Sequence, residues 1–153
     1  MKRIFTCVFS LLAVLAITGA ATADDKADVL AAMKQWQQKL GEACAAGPDK
    51  IVALYSGDGV LWGTISPKIR SGAEPITDYF VSACQKLPKL KVEFKDPLVR
   101  VYGGDTAINS GSYTFIYEKD GEMKSLPARY SFTLIKQDGR WLIVDHHSSK
   151  MPE

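Results

Sequence analysis

The sequence predicts an α+β domain in which three N-terminal helices pack on the concave face of a curved antiparallel sheet. Three observations carry this. Apolar residues recur at steps of three and four over residues 26–46. Beyond Pro88 the pattern changes to long β-branched and aromatic runs. Two Asp-Gly pairs, Asp120-Gly121 and Asp138-Gly139, cut those runs into hairpins.

The helices come first. From Lys26 to Ala46, the residues Val29, Met33, Trp36, Leu40 and Cys44 form one apolar stripe, with Lys, Gln and Glu between them. Gly47 ends this helix, and Pro48 suits the first turn of a short second helix running through Leu54 and Tyr55. A third helix is expected from Glu74 to Lys86, with Ile76, Tyr79, Phe80 and Ala83 on one side and Pro88 beyond its end.

A short strand is expected at Val60–Thr64, between the second and third helices. After Pro88, strands are expected at Leu90–Phe94 and Val99–Tyr102, followed by a turn at Gly103-Gly104-Asp105. Thr106–Tyr117, Pro127–Ile135 and Trp141–Ser148 complete the meander.

The first 23 of the 153 residues read as a cleaved signal peptide. Lys2 and Arg3 precede an apolar run from Ile4 to Ile17, and Ala21 and Ala23 stand at the −3 and −1 positions of a cut after Ala23. The run falls short of the roughly 20 residues that a membrane anchor needs. Cys7 lies early in it rather than at the cut, so a lipid-attached cysteine is not indicated. The expected product is one domain, residues 24–153, in the periplasm or secreted, with no membrane attachment. Loss of Lys2 and Arg3 leaves 17 basic against 17 acidic residues. That balance, without a basic run or motif, argues against nucleic acid as a partner.

Cys44 and Cys84 remain after the cut. An oxidising compartment favours a disulfide between them, and two separate buried thiols are the alternative. No C-x-x-C or H-x-x-x-H spacing suggests a metal, and no flavin or nicotinamide fingerprint suggests a cofactor.

Three stretches resemble a known fold. They are residues 54–67 (LYSGDGVLWGTISP) with Arg70, residues 76–80 (ITDYF) and residues 138–149 (DGRWLIVDHHSS). Together they resemble the nuclear transport factor 2-like superfamily, the cone shared by polyketide cyclases, ketosteroid isomerases and the association domain of calmodulin-dependent kinase II. The likeness is greatest to bacterial relatives of that association domain and spans nearly all of residues 24–153. It implies a pocket between the helices and the concave sheet, and a homodimer or larger ring. The chain contains no kinase region, so calmodulin-dependent regulation is not carried over.

Adjacent residues on a strand face opposite ways, so His146 and His147 cannot both line one pocket unless the strand bulges. If Asp138-Gly139 is a two-residue turn in an unbroken ladder, Phe132 stands opposite Asp145 and Ser131 opposite His146. One face then carries Tyr130, Phe132, Asp145 and His147, and the other Arg129, Ser131, His146 and Ser148. A slip of one residue exchanges the sets. The candidate ligand-binding residues are Arg70, Arg129, His146, Ser148, Trp62 and Tyr113, with His146 or His147 as candidate acid or base. Surface arginines and a strand-end histidine bonded to backbone are the structural alternatives. The G-x-S-x-G nucleophile pattern is absent. In the isomerase branch the carboxylate base would fall near Gly63 and a Tyr would stand in the first helix. This chain has neither.

The expected function is therefore an exported, self-associating pocket domain for a small polar or anionic molecule. The rival is a small-molecule enzyme of isomerase, cyclase or oxidoreductase type with a pocket histidine as acid/base. A third possibility is an interaction module working through its sheet face.

Overall fold

The computed structural model describes residues 23–152. The proposed signal segment lies outside the described residues, apart from Ala23, its last residue. The order is α1 (Ala23–Ala46), α2 (Asp49–Val52), β1 (Tyr55–Trp62), β2 (Ile69–Ser71), α3 (Ala73–Lys86), β3 (Lys91–Tyr102), β4 (Thr106–Lys119), β5 (Glu122–Gln137) and β6 (Arg140–Lys150). Six strands make one curved, unclosed sheet in the order β2-β1-β6-β5-β4-β3. All neighbours are antiparallel except β1 and β6, which run parallel, so the expected all-antiparallel sheet is corrected at that one seam.

The α1 stripe buries Val29, Met33, Trp36 and Leu40 as its periodicity requires. Trp36 is the centre of the core. Its ring lies edge-on to Phe132 at 5.2 Å and to Phe94 at 6.1 Å, and parallel to Tyr113 at 6.4 Å. Truncating so large a buried ring costs about 3–5 kcal/mol. The disulfide joins Cys44 near the end of α1 to Cys84 near the end of α3, with Cα atoms 5.1 Å apart. It closes two helices over the sheet.

Several boundaries differ from the sequence reading. The second helix stops at Val52, because Tyr55 is drawn into β1 beside Ile143. The short strand β2 was not expected. The two runs either side of residue 96 form one strand, β3, interrupted by a bulge between Lys95 and Leu98, where Asp96 has φ +50° and Pro97 follows. Both Asp-Gly turns form as expected, each with two positive φ values, the type I′ geometry that matches strand twist.

The expected β5–β6 register is overturned. The ladder starts as anticipated, with Gln137 opposite Arg140, but slips between Leu134–Ile143 and Thr133–Asp145. Val144 is the extra residue, a β-bulge. Beyond it Phe132 faces His146, and Tyr130 faces Ser148. The concave face therefore carries Tyr130, Phe132, His146 and Ser148. Arg129, Ser131, His147 and Ser149 lie on the convex face.

Candidate functional site

The bulge delivers His146 to the interior, where it is only 2 % exposed. Its ring stacks on Phe132 with centroids 3.9 Å apart and meets Trp36 edge-on at 5.3 Å. Both ring nitrogens have phenol partners. The Tyr55 hydroxyl is 2.9 Å from Nδ1, and the Tyr113 hydroxyl is 3.3 Å from Nε2.

These contacts fix a direction. The indole N–H of Trp36, which can only donate, is given to the Tyr55 oxygen at 3.2 Å. The Tyr55 proton is then free to go to Nδ1, which places the ring proton on Nε2, donated to the Tyr113 oxygen. Tyr113 in turn donates to Ser148 Oγ at 2.5 Å, and the Ser148 hydroxyl contacts Thr64 Oγ1. The result is a one-way chain of hydrogen bonds from α1 through β1, β6 and β4 to the loop after β1. A chain of this kind satisfies buried polar groups that would each cost energy if left unpaired.

Burial sets the electrostatics. It pushes the His146 pKa down to about 3, with the neighbouring His147 adding to the effect. It holds the Tyr55 and Tyr113 hydroxyls far above the ordinary phenol value. Tyr79 is pushed up to about 12 by burial. The site is thus neutral at physiological pH: an imidazole rather than an imidazolium, among intact phenols.

Tyr113, His146, Ser148 and Thr64 form the polar end of a cavity of about 20 Å³ between α1, α3 and the sheet. That is room for one water molecule. Its remaining walls are largely apolar, with Leu40, Phe80 and Phe115 among them. Tyr79 closes one side, its hydroxyl hydrogen-bonded by the backbone of Ile65 and Thr64. A Cβ at Gly63 would stand 2.1 Å from the Tyr79 ring. The position suggested for an isomerase-type base is therefore filled by that ring.

Of the residues expected from the sequence, Tyr113, His146 and Ser148 are brought together. Arg70 lies on the same side of the sheet, opposite Leu61, close enough to Tyr79 for its charge to act on that phenol, with one guanidinium nitrogen 3.5 Å from Ser66 Oγ. It is not among the residues that line the cavity. Arg129 is corrected: it is exposed on the convex face, with Nε donating to Ser149 Oγ at 3.1 Å. His147 and Trp62, paired across β1 and β6, are also convex-face residues, both exposed. Sequence reasoning missed Trp36, Tyr55, Thr64 and Tyr79 as the partners of the site. The apolar stripe and the Leu54-Tyr55-Ser56 stretch marked the positions of Trp36 and Tyr55, but read them as packing or resemblance. Among the described residues, no group of three or more acidic, histidine or cysteine side chains could hold a metal, and no helix is long and apolar enough to cross a membrane.

The comparisons agree with this architecture. The family model described as calcium/calmodulin dependent protein kinase II association domain matches residues 25–152. A solved structure from Xanthomonas campestris, named for the same association domain, is 37% identical, with a TM-score of 0.73, covering 88% of this chain and 94% of its own. A Novosphingobium aromaticivorans structure named for an aromatic ring hydroxylase is 18% identical at a TM-score of 0.75, covering 87% of this chain and 94% of its own. A ketosteroid isomerase-like protein from Erwinia carotovora atroseptica is 20% identical at a TM-score of 0.66, covering 86% of this chain and all of its own. The last two show the fold alone. No curated protein matches the chain.

Proposed function

This chain belongs to the calcium/calmodulin dependent protein kinase II association domain family, and on that premise we propose that it is an exported, self-associating domain whose concave cavity binds a small molecule. The observation that carries the binding reading is the hydrogen-bond chain ending at Tyr113, Ser148 and Thr64 against an otherwise apolar wall. A few placed polar groups in an apolar cavity are the usual composition of a ligand site. The ligand class narrows from polar or anionic to a mainly apolar molecule with a neutral hydrogen-bonding group. No cationic side chain lines the cavity, and Arg129 is outside. Admission of anything larger than water requires the cavity to widen.

Catalysis is the weaker reading. No carboxylate lines the cavity, and a histidine with its pKa near 3 holds both nitrogens in fixed hydrogen bonds. An acid/base at neutral pH works best with a pKa near the working pH.

Two observations support export. The family match begins at Asp25, so a cut after Ala23 leaves all of it intact. The Cys44–Cys84 disulfide suits an oxidising compartment. Self-association is supported by the family and by the convex face. There, Ile69, Trp62, His147, Ser131, Ser110 and Leu98 form one cross-strand row, with Trp62, Ile69 and Leu98 exposed at 46%, 51% and 61%. Small serines between large apolar residues let a second sheet approach closely.

Native mass spectrometry of protein taken from its own compartment tests the binding reading. A stoichiometric non-covalent mass on the folded protein is expected, and a clean apoprotein mass counts against it. Sedimentation of the Trp62→Asp variant tests the convex face: it is expected to shift toward monomer while remaining folded.

A further inference from the structure

Strand β3 ends the sheet, so one side of its backbone has no neighbouring strand. An open edge invites pairing with another chain, and folds usually blunt it with short strands, charges, bulges or covering elements. The opposite edge, β2, is only three residues long. The first half of β3 is guarded too. It carries the exposed Lys91 and Lys95 and ends in the bulge at Asp96 and Pro97. It is also tied to α1, where Gln37 Nε2 donates to the Val92 carbonyl at 2.9 Å.

The second half, residues 98–102, has none of this cover. Its sequence, Leu-Val-Arg-Val-Tyr, is mostly apolar or aromatic, and Leu98 and Tyr102 are exposed. Among the described residues, the backbone of residues 98–101 makes no hydrogen bond outside the β3–β4 ladder. Arg100 lies between Leu98 and Tyr102 on the convex face. Among the described residues it has no carboxylate partner, and its guanidinium reaches only Ser110 Oγ, at 3.5 Å. On the concave side Val99 and Val101 are half-buried against the core. A cleft of about 210 Å³ opens at the start of the segment, between Leu30 and Met33 of α1 and Phe94 and Pro97 of β3.

We propose that residues 98–102 are a docking edge for an extended segment of another protein, which adds a strand to the sheet, sets an acidic side chain opposite Arg100 and puts an apolar side chain into the cleft. In this mode main-chain hydrogen bonds supply affinity, and pockets for alternate side chains supply specificity. An opposite-charge pair across two strands stabilises them, and a like-charge pair does the reverse. A second copy of this chain is therefore the poorer occupant, because antiparallel self-pairing centred on the segment sets Arg100 against Arg100. The edge is separate from the concave cavity, and the proposal does not rest on the reading of that cavity.

The probe is the capped peptide acetyl-Thr-Leu-Glu-Leu-Thr-amide, which reads the same in both directions and so fits parallel or antiparallel addition. The control is the same peptide with Lys in place of Glu. In backbone amide NMR of the folded protein, the Glu peptide is expected to shift the amides of residues 98–102 saturably. It is expected to bind about threefold or more tightly than the Lys peptide. Arg100→Glu changes an exposed residue, leaves the core intact, and is expected to reverse that preference. No saturable shift at these amides, equal affinity for the two peptides, or an unchanged preference in Arg100→Glu overturns the proposal. Sedimentation at saturating Glu peptide is expected to show the same oligomeric state as the free protein. Dissociation by the peptide would assign the edge to a second copy and overturn the proposal as well.

Discussion

His146 stands opposite Phe132, their rings stacked 3.9 Å apart, because a single residue, Val144, is extruded from the β5–β6 ladder. Without that bulge the residue facing Phe132 would be Asp145, and a carboxylate would be pressed into the aromatic core. The bulge thus decides which of two adjacent histidines is buried.

Deleting Val144 removes the extra residue and leaves Thr133 opposite Asp145 and Phe132 opposite His146. The variant is expected to fold with His146 still buried, at a cost of about 0.5–3 kcal/mol. Val144→Ala keeps the backbone count and is expected to cost about 1 kcal/mol. Denaturant unfolding of both checks this, and a loss above about 4 kcal/mol on deletion would contradict Val144 as the extra residue.

Stability is expected to fall in acid through His146. Its folded pKa lies near 3, below the ordinary value of 6.5. Below pH 6.5 the unfolded chain takes up a proton that the folded chain refuses. The contribution is therefore complete above pH 6.5 and lost progressively as the pH falls toward 3. Between pH 6.5 and 4 this amounts to about 3 kcal/mol. His146→Gln does not titrate, so its denaturant-measured stability is expected to be flatter than wild type over that interval. Parallel curves would contradict the assignment.

The Cys44–Cys84 bond closes a separation of 40 residues. Removing it by a double Cys→Ala substitution is expected to lower stability by about 2–4 kcal/mol. Alkylation of the unreduced protein should label neither Cys44 nor Cys84, and labelling of both would contradict the bond.

The α1 stripe, both Asp-Gly hairpins and the order of the helices and long strands were legible because each follows from local periodicity or turn chemistry, whereas the short β2 was not. The pairing of β1 with β6 was not, since parallel neighbours distant in sequence leave no local mark. Nor was the bulge at Val144. A straight ladder is the default expectation, and nothing in Leu142-Ile143-Val144-Asp145 distinguishes one residue as extra. That slip explains why Arg129 was placed beside His146 when it lies on the other face. Ser148 and Tyr113 could be named, but not their connection. The chain Trp36–Tyr55–His146–Tyr113–Ser148 joins four separate elements, and only the fold brings them within hydrogen-bond reach.

The two histidines of the chain provide the most direct test of the concave cavity as the ligand site, since one lies inside and the other on the convex face. Ring-nitrogen NMR of ¹⁵N-histidine-labelled protein, titrated with the molecule that native mass spectrometry finds bound, reads both at once. The account predicts that His146 remains a neutral Nε2–H imidazole whose signals shift on binding, while those of His147 do not move. A shift at His147 with His146 unchanged would put the ligand on the convex face and contradict it.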